Sequence, residues 1–181
     1  RAYDDEFVAA LIASAGAQLE YLQRHIAPDI NWRIANADTL LVCGLLLEPW
    51  PRAQGQCGFA VQVLNDAWHR QILPDGAHME RNPGYHHWMV RVMEKYWDLG
   101  RAMPGLGLAM EAETIARMYD YSLASTAPDG GWNALHDCQS NRSGFYSNRV
   151  PEERAAFRRK AGLPEALPPP AFDTDGVPVR A

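Results

Sequence analysis

Cysteine is scarce in this chain of 181 residues, and Cys43, Cys57 and Cys138 lack the paired spacing of a metal site. They read as two buried apolar thiols and one loop thiol, and they do not fix a redox compartment. Basic residues are outnumbered: 17 Lys and Arg stand against 22 Asp and Glu, a net charge of −5. No Lys/Arg stripe is present, which argues against nucleic acid as a partner and leaves room only for local basic pockets. No apolar run reaches membrane length, and no leader precedes Arg1, where one can have been removed. The compartment therefore stays open, with the periplasm or exterior preferred over the cytoplasm. A Gly-rich phosphate loop, a nucleophile elbow and a Cys–His signature are also missing. What is plentiful is aromatic surface, with six Trp among the 10% aromatic residues, enough for a core or for stacking on sugars.

The apolar pattern is helical nearly throughout. Val8, Leu11, Ile12, Ala15, Leu19 and Leu22 recur at three and four, after Asp4 as an N-cap candidate. Ile34, Ala37, Leu40, Leu41 and Leu45 form a second stripe, and Ala60, Val63, Leu64, Ala67 and Trp68 a third. Tyr85, Trp88, Met89, Val92, Met93 and Tyr96 form the cleanest, and Leu108, Ala112, Ile115, Ala116, Tyr119 and Leu123 a fifth. A short charged helix is expected over residues 152–160. No segment of residues 1–126 alternates with a period of two, so the fold class is all-α.

Glu48-Pro49-Trp50-Pro51-Arg52 and Met103-Pro104-Gly105-Leu106-Gly107 read as tight, Pro-punctuated turns. The other links, residues 25–31, 73–84 and 127–150, are richer in polar groups. Short links make successive helices antiparallel neighbours. The second and fourth helices then start at one end, where the three polar loops gather, and function is expected there. Four of the six histidines fall between positions 69 and 87. Helix N-termini at that end favour an anionic substrate despite the negative total charge.

Each candidate residue has two readings. Asn31 follows Pro28-Asp29 and can cap its helix, or its amide can donate to a substrate carboxylate. Tyr85 follows Asn82-Pro83, a good N-cap and first-turn pair, and is either a packed core phenol or a proton-transfer group. His78, Glu80 and Arg81 are a solvated turn, or else Arg81 holds a sugar carboxylate and Glu80 orients it. His86 and His87, about 100° apart on a helix, are poor ligands for one ion, and no closed zinc site is expected. Asp75 and Glu80 form a weak candidate for the carboxylate pair of a glycoside hydrolase. Asp129-Gly130-Gly131-Trp132 reads as a turn, in which Trp132 is a buried anchor or a stacking platform.

Gln71-Ile72-Leu73-Pro74-Asp75-Gly76-Ala77-His78-Met79-Glu80-Arg81-Asn82-Pro83-Gly84-Tyr85-His86 resembles a loop of the heparinase II/III-like polysaccharide lyases, of the form Q-x-L-P-D-G-x-x-x-E-x-x-x-x-Y-H. Asn31-Trp32-Arg33 resembles the earlier position that supplies an Asn or His to that family's active site, and the gap of 54 residues to Tyr85 fits. The resemblance covers about residues 25–130. It implies an incomplete (α/α) toroid of antiparallel hairpins over residues 1–150. Residues 151–181 would then be a short helix and a Pro-rich linker toward a β-sandwich domain outside the chain. It implies β-elimination on a uronic-acid glycan such as a glycosaminoglycan or alginate, with Asn31 neutralising the carboxylate and Tyr85 as acid and base. His78, Glu80, Arg81, His86, Arg33 and Trp132 would surround the uronate. No cofactor is implied, and a further catalytic His is expected beyond residue 181. The partners implied are an acidic polysaccharide and that β-domain, with no nucleic acid and no membrane. A glycoside hydrolase on uronides and a non-catalytic carbohydrate-binding protein are the alternatives.

Overall fold

The computed structural model describes residues 3–47, 55–127, 131–136, 138 and 149–165. Among the described residues six α-helices follow one another: α1 (Asp5–Arg24), α2 (Asn31–Leu46), α3 (Gln56–Gln71), α4 (Pro83–Ala102), α5 (Ala112–Ala124) and α6 (Val150–Ala161). A 3-10 turn spans Pro104–Leu106, and an isolated antiparallel bridge joins Thr126 to Trp132. Among the described residues there is no strand, as the absence of period-two patterning requires. The five long stripes and the short charged segment each became a helix. The Glu48–Arg52 link and the Asp129-Gly130 turn lie outside the described residues.

Local chemistry explains the helix starts. Asp4 caps α1, its carboxylate accepting from the Phe7 N–H at 2.7 Å. Asn82 caps α4, accepting from the Tyr85 N–H at 3.0 Å, and Pro83 occupies the first helical position, where its missing N–H costs nothing. At α2 the capping expectation fails: the helix begins at Asn31, Ile30 takes the cap position, and no side chain caps the end.

The chain groups into two compact units, residues 1–72 with 95–110, and residues 73–94 with 111–181. In the first, Ile34, Leu40, Leu41 and Leu64 are fully buried, each contributing about 2 kcal/mol through the apolar surface it removes from water. Helices α2 and α3 pack closely because Gly44 has no side chain: a Cβ there would lie 2.7 Å from the Cys57 Sγ. Asn65 of α3 fastens the chain after the 3-10 turn, donating to the Gly107 carbonyl at 2.8 Å and accepting from the Ala109 N–H at 2.9 Å. Tyr96 and Lys95 both bond to Asp38 of α2, and burial with that carboxylate drives the Tyr96 phenol far above its ordinary pKa. The apolar stripe of α1 is covered only in part. Gly16 and Leu19 are buried, whereas Phe7, Val8, Leu11 and Ile12 are exposed.

In the second unit, Met89, Met93, Ile115, Met118, Tyr119 and Phe157 form the core. Helix α6 is tied to α5 by Asp120, which accepts from Arg154 and Arg158. It is tied to α4 by Arg91 with Glu153 and by Lys160 with Glu94. A cavity of about 280 Å³ on α6 is lined by Arg154, Arg158 and Arg159. Asp120 already takes a guanidinium bond from each of the first two, so this cluster serves the packing of α6. Trp88, expected in the apolar stripe of α4, is 40% exposed, because within this unit the stripe that meets the core runs through Met89, Val92 and Met93 at its side.

Candidate active site

The segment before α4 is built as a self-closed turn. The Leu73 N–H donates to the Ala77 carbonyl at 2.8 Å, and the Gly76 N–H donates to the Leu73 carbonyl at 2.8 Å. Asp75 accepts from the Ala77 N–H at 3.0 Å, a local side-chain bond typical of Asp in turns. Asp75 therefore has a structural task in this loop. Gly76 has φ +88°, and a Cβ there would lie 2.5 Å from the Arg117 carbonyl carbon and 2.6 Å from the Met118 nitrogen. The turn thus sits directly on the main chain of α5, which only glycine allows.

A second tether lies one helical turn into α4. His86 is fully buried, its Nδ1 accepting from the His78 N–H at 3.1 Å and its Nε2 facing the Met118 carbonyl oxygen at 2.9 Å. Those partners fix one neutral tautomer, protonated at Nε2. Burial pushes the His86 pKa down to about 4, with His87 adding to the shift while the Met118 carbonyl and Asp75 oppose it. The neighbouring histidines follow, to about 4, mainly through burial: His78 with a further push from His86, and His87 from Arg91. For His87 burial outweighs Glu153, whose carboxylate lies 3.3 Å from Nε2.

A consequence for stability follows from the sign of these shifts. The unfolded chain takes up a proton at each histidine near pH 6.5, whereas the folded chain resists until about pH 4. Stability is therefore complete above pH 6.5 and falls as pH drops toward 4, by up to about 1.4 kcal/mol per pH unit for each histidine. Thermal unfolding between pH 7 and 4 should show this slope. The His86→Gln variant should show a slope shallower by about one proton, and an unchanged slope would contradict the assignment.

Above this buried layer the second unit exposes another set of groups. Arg81 is exposed, and its backbone adopts φ +52°, a left-handed conformation uncommon outside glycine. Its N–H donates to the His78 carbonyl at 2.9 Å, closing a turn that turns the guanidinium outward. Tyr85 is 36% exposed in the first turn of α4, so it is not the packed core phenol that its place in the stripe also allowed. Trp88 lies three residues on, on the neighbouring position of the same helical face. A cation, a phenol and an indole suit an acidic sugar: charge for the carboxylate, aromatic faces for the ring. Trp88 was missed because a tryptophan at helical spacing reads as core. Its three-residue distance from Tyr85 was the available signal.

The expected shell divides accordingly. His78 and His86 are fully buried and belong to the layer that supports the loop, so a direct ligand role does not suit them here. Glu80 is partly buried, its carboxylate 3.9 Å from the His78 Nδ1. Trp132 is 5% exposed with its ring 5.2 Å from that of His87, a buried anchor and not a stacking platform.

In the first unit, Asn31 is partly buried at the first position of α2. Arg33 faces inward and holds the preceding loop, donating to the Ala27 carbonyl at 3.3 Å with Asp66 at 3.7 Å. Asn36 accepts from the Ala27 N–H at 3.0 Å. Arg33 is thus committed to its own loop, while Trp32 beside it is exposed.

An all-helical chain with a tethered, polar loop opening onto a helix that begins Pro-Gly-Tyr-His has a solved counterpart. A crystal structure of heparinase III superposes with a TM-score of 0.69 at 19% identity, covering 86% of this chain and 24% of that one. The likeness establishes the fold, and the chain spans about a quarter of the solved chain. Comparison with curated proteins gives no match. The model of the heparinase II/III N-terminus matches residues 1–163, and the chain belongs to that family.

Proposed function

We propose that the protein of which this helical chain is a part cleaves a uronic-acid glycan by β-elimination. Abstraction of the proton next to a carboxylate is slow because the carbanion it leaves places charge on that carboxylate. Asn31 offers an amide N–H₂ that offsets this charge, a preorganised donor worth roughly 3–4 kcal/mol in the transition state. Tyr85 passes the proton, acting as acid toward the leaving oxygen and as base for one uronate epimer. Arg81 is the cation for the sugar carboxylate, and Tyr85 with Trp88 is the aromatic face for the ring.

The observation that carries this reading is the partly exposed phenol of Tyr85, in the first turn of α4 behind a loop pinned to α5. Family membership supports the reaction class. The remaining parts of the proposal are the toroidal arrangement, a linker over residues 151–181 that follows on from the helical domain toward a β-domain outside this chain, and a further histidine supplied from that domain.

The test is product formation. The full-length protein is incubated separately with a glycosaminoglycan and with alginate, and the ultraviolet absorbance of the unsaturated uronate is followed. One of the two should give the signal, and Asn31→Ala should lower its rate by about a hundredfold to a thousandfold. Chain cleavage without any new double bond would instead establish hydrolysis and end this reading.

A further inference from the structure

The two short motifs of this sequence are joined by a side chain that belongs to one of them and has no place in the chemistry above. Gln71, the last residue of α3, is fully buried. Its Nε2 donates to the Asp29 carboxylate at 2.8 Å and points at the Ile30 carbonyl at 3.5 Å. Asp29 and Ile30 are the two residues before Asn31. The other Asp29 oxygen pairs with Arg70 at 3.1 Å, but that guanidinium is half exposed and water screens the pair. The Gln71 amide is buried and its charge-assisted bond to the part-buried Asp29 is the stronger tether.

The start of α2 has particular need of it. Ile30 has no side-chain oxygen with which to cap the helix, so no cap fixes the angle at which the chain enters α2. The Ile30 N–H donates to the Pro28 carbonyl at 2.8 Å, and the Arg33 N–H to the Ile30 carbonyl at 2.9 Å, so residues 28–33 form one connected turn. What holds Asp29 therefore bears directly on the orientation of Asn31, beside the bonds of Arg33 and Asn36 to Ala27 earlier in the loop. We infer that Gln71 is a positioning residue for Asn31: its buried amide, clamped on Asp29, aims the Asn31 carboxamide at the uronate carboxylate. The inference rests on the lyase reading for the task of Asn31, and on the first unit alone for the geometry.

A misaimed donor weakens the transition state more than the ground state. In the full-length protein Gln71→Leu should lower kcat by roughly tenfold to a hundredfold while KM changes by less than about threefold. In an Asn31→Ala background the same substitution should cost nothing further, since Gln71 acts through Asn31. Gln71→Glu sets two carboxylates together and should be as poor. Adding Asp29→Asn to it reverses donor and acceptor across the same gap and should recover most of the turnover, which keeps the test open if Gln71→Leu folds badly. Equal losses from Gln71→Leu with and without Asn31, or no recovery in the exchanged pair, would overturn the inference. Should the uronate assay show that the protein is no lyase, amide hydrogen exchange decides the geometry. Ile30 and Asn31 should exchange faster in Gln71→Leu while the α3 core stays protected, and unchanged exchange there would refute the clamp.

Discussion

Tyr85→Phe is expected to remove a hundredfold to ten-thousandfold of the turnover of the full-length protein, the usual range for one positioned acid–base group. The change deletes one oxygen and keeps the ring. The residue is 36% exposed, and the cap on its own N–H comes from Asn82, whose oxygen the substitution does not touch. Folding stability should therefore move by less than about 1 kcal/mol, as for most substitutions outside the core. The two measurements together are diagnostic. A normal melting temperature with lost formation of unsaturated uronate assigns chemistry to the phenol. A variant that melts normally and turns over normally removes Tyr85 from the mechanism, and the lyase proposal with it.

Gly76→Ala should act in the opposite sense, through the fold. Its Cβ would enter the main chain of α5 at Arg117 and Met118, where the blocking atoms are backbone and cannot swing aside like a flexible side chain. The φ of +88° adds strain for any residue with a Cβ. Overpacking of this kind costs about 1–3 kcal/mol, and the left-handed backbone a further 1–2 kcal/mol. A loss of roughly 2–5 kcal/mol should appear as a lower denaturant midpoint at an unchanged slope. Turnover should fall as well, because the displaced loop carries Arg81 and leads into Tyr85. A stability within 0.5 kcal/mol or so of the parent would mean that the loop does not bear on α5 in solution.

The helices were legible because periodicity is a local property. The six segments, the Asp4 cap and the Asn82-Pro83 start each depend on residues within one or two turns. What the pattern could not disclose was which part of each stripe would find a neighbour. Leu11 and Trp88 fit their stripes and are exposed, because nothing near them in the sequence records what packs there. The loop motif directed attention to the right stretch, but the tasks within it needed partners far along the chain. His86 faces a carbonyl 32 residues away, and Gln71 reaches a carboxylate 42 residues back. A histidine in a polar motif looks like a ligand, and a glutamine there passes unnoticed, until such partners are known. The capping alternative for Asn31 fails for a different reason: the helix already starts on it, one residue earlier than a capping Asn would require.

Gly76 meets the α5 peptide units themselves, and His86 meets the Met118 carbonyl, so the loop's seat on α5 is made against atoms common to every amino acid. The exposed side chain at 117 can then be exchanged without shifting that seat, provided the helix persists, whereas Met118 is held by its own place in the core. Change on the exposed side of α5 therefore leaves the loop in register, because the seat is set by the course of the helix and not by its outward side chains.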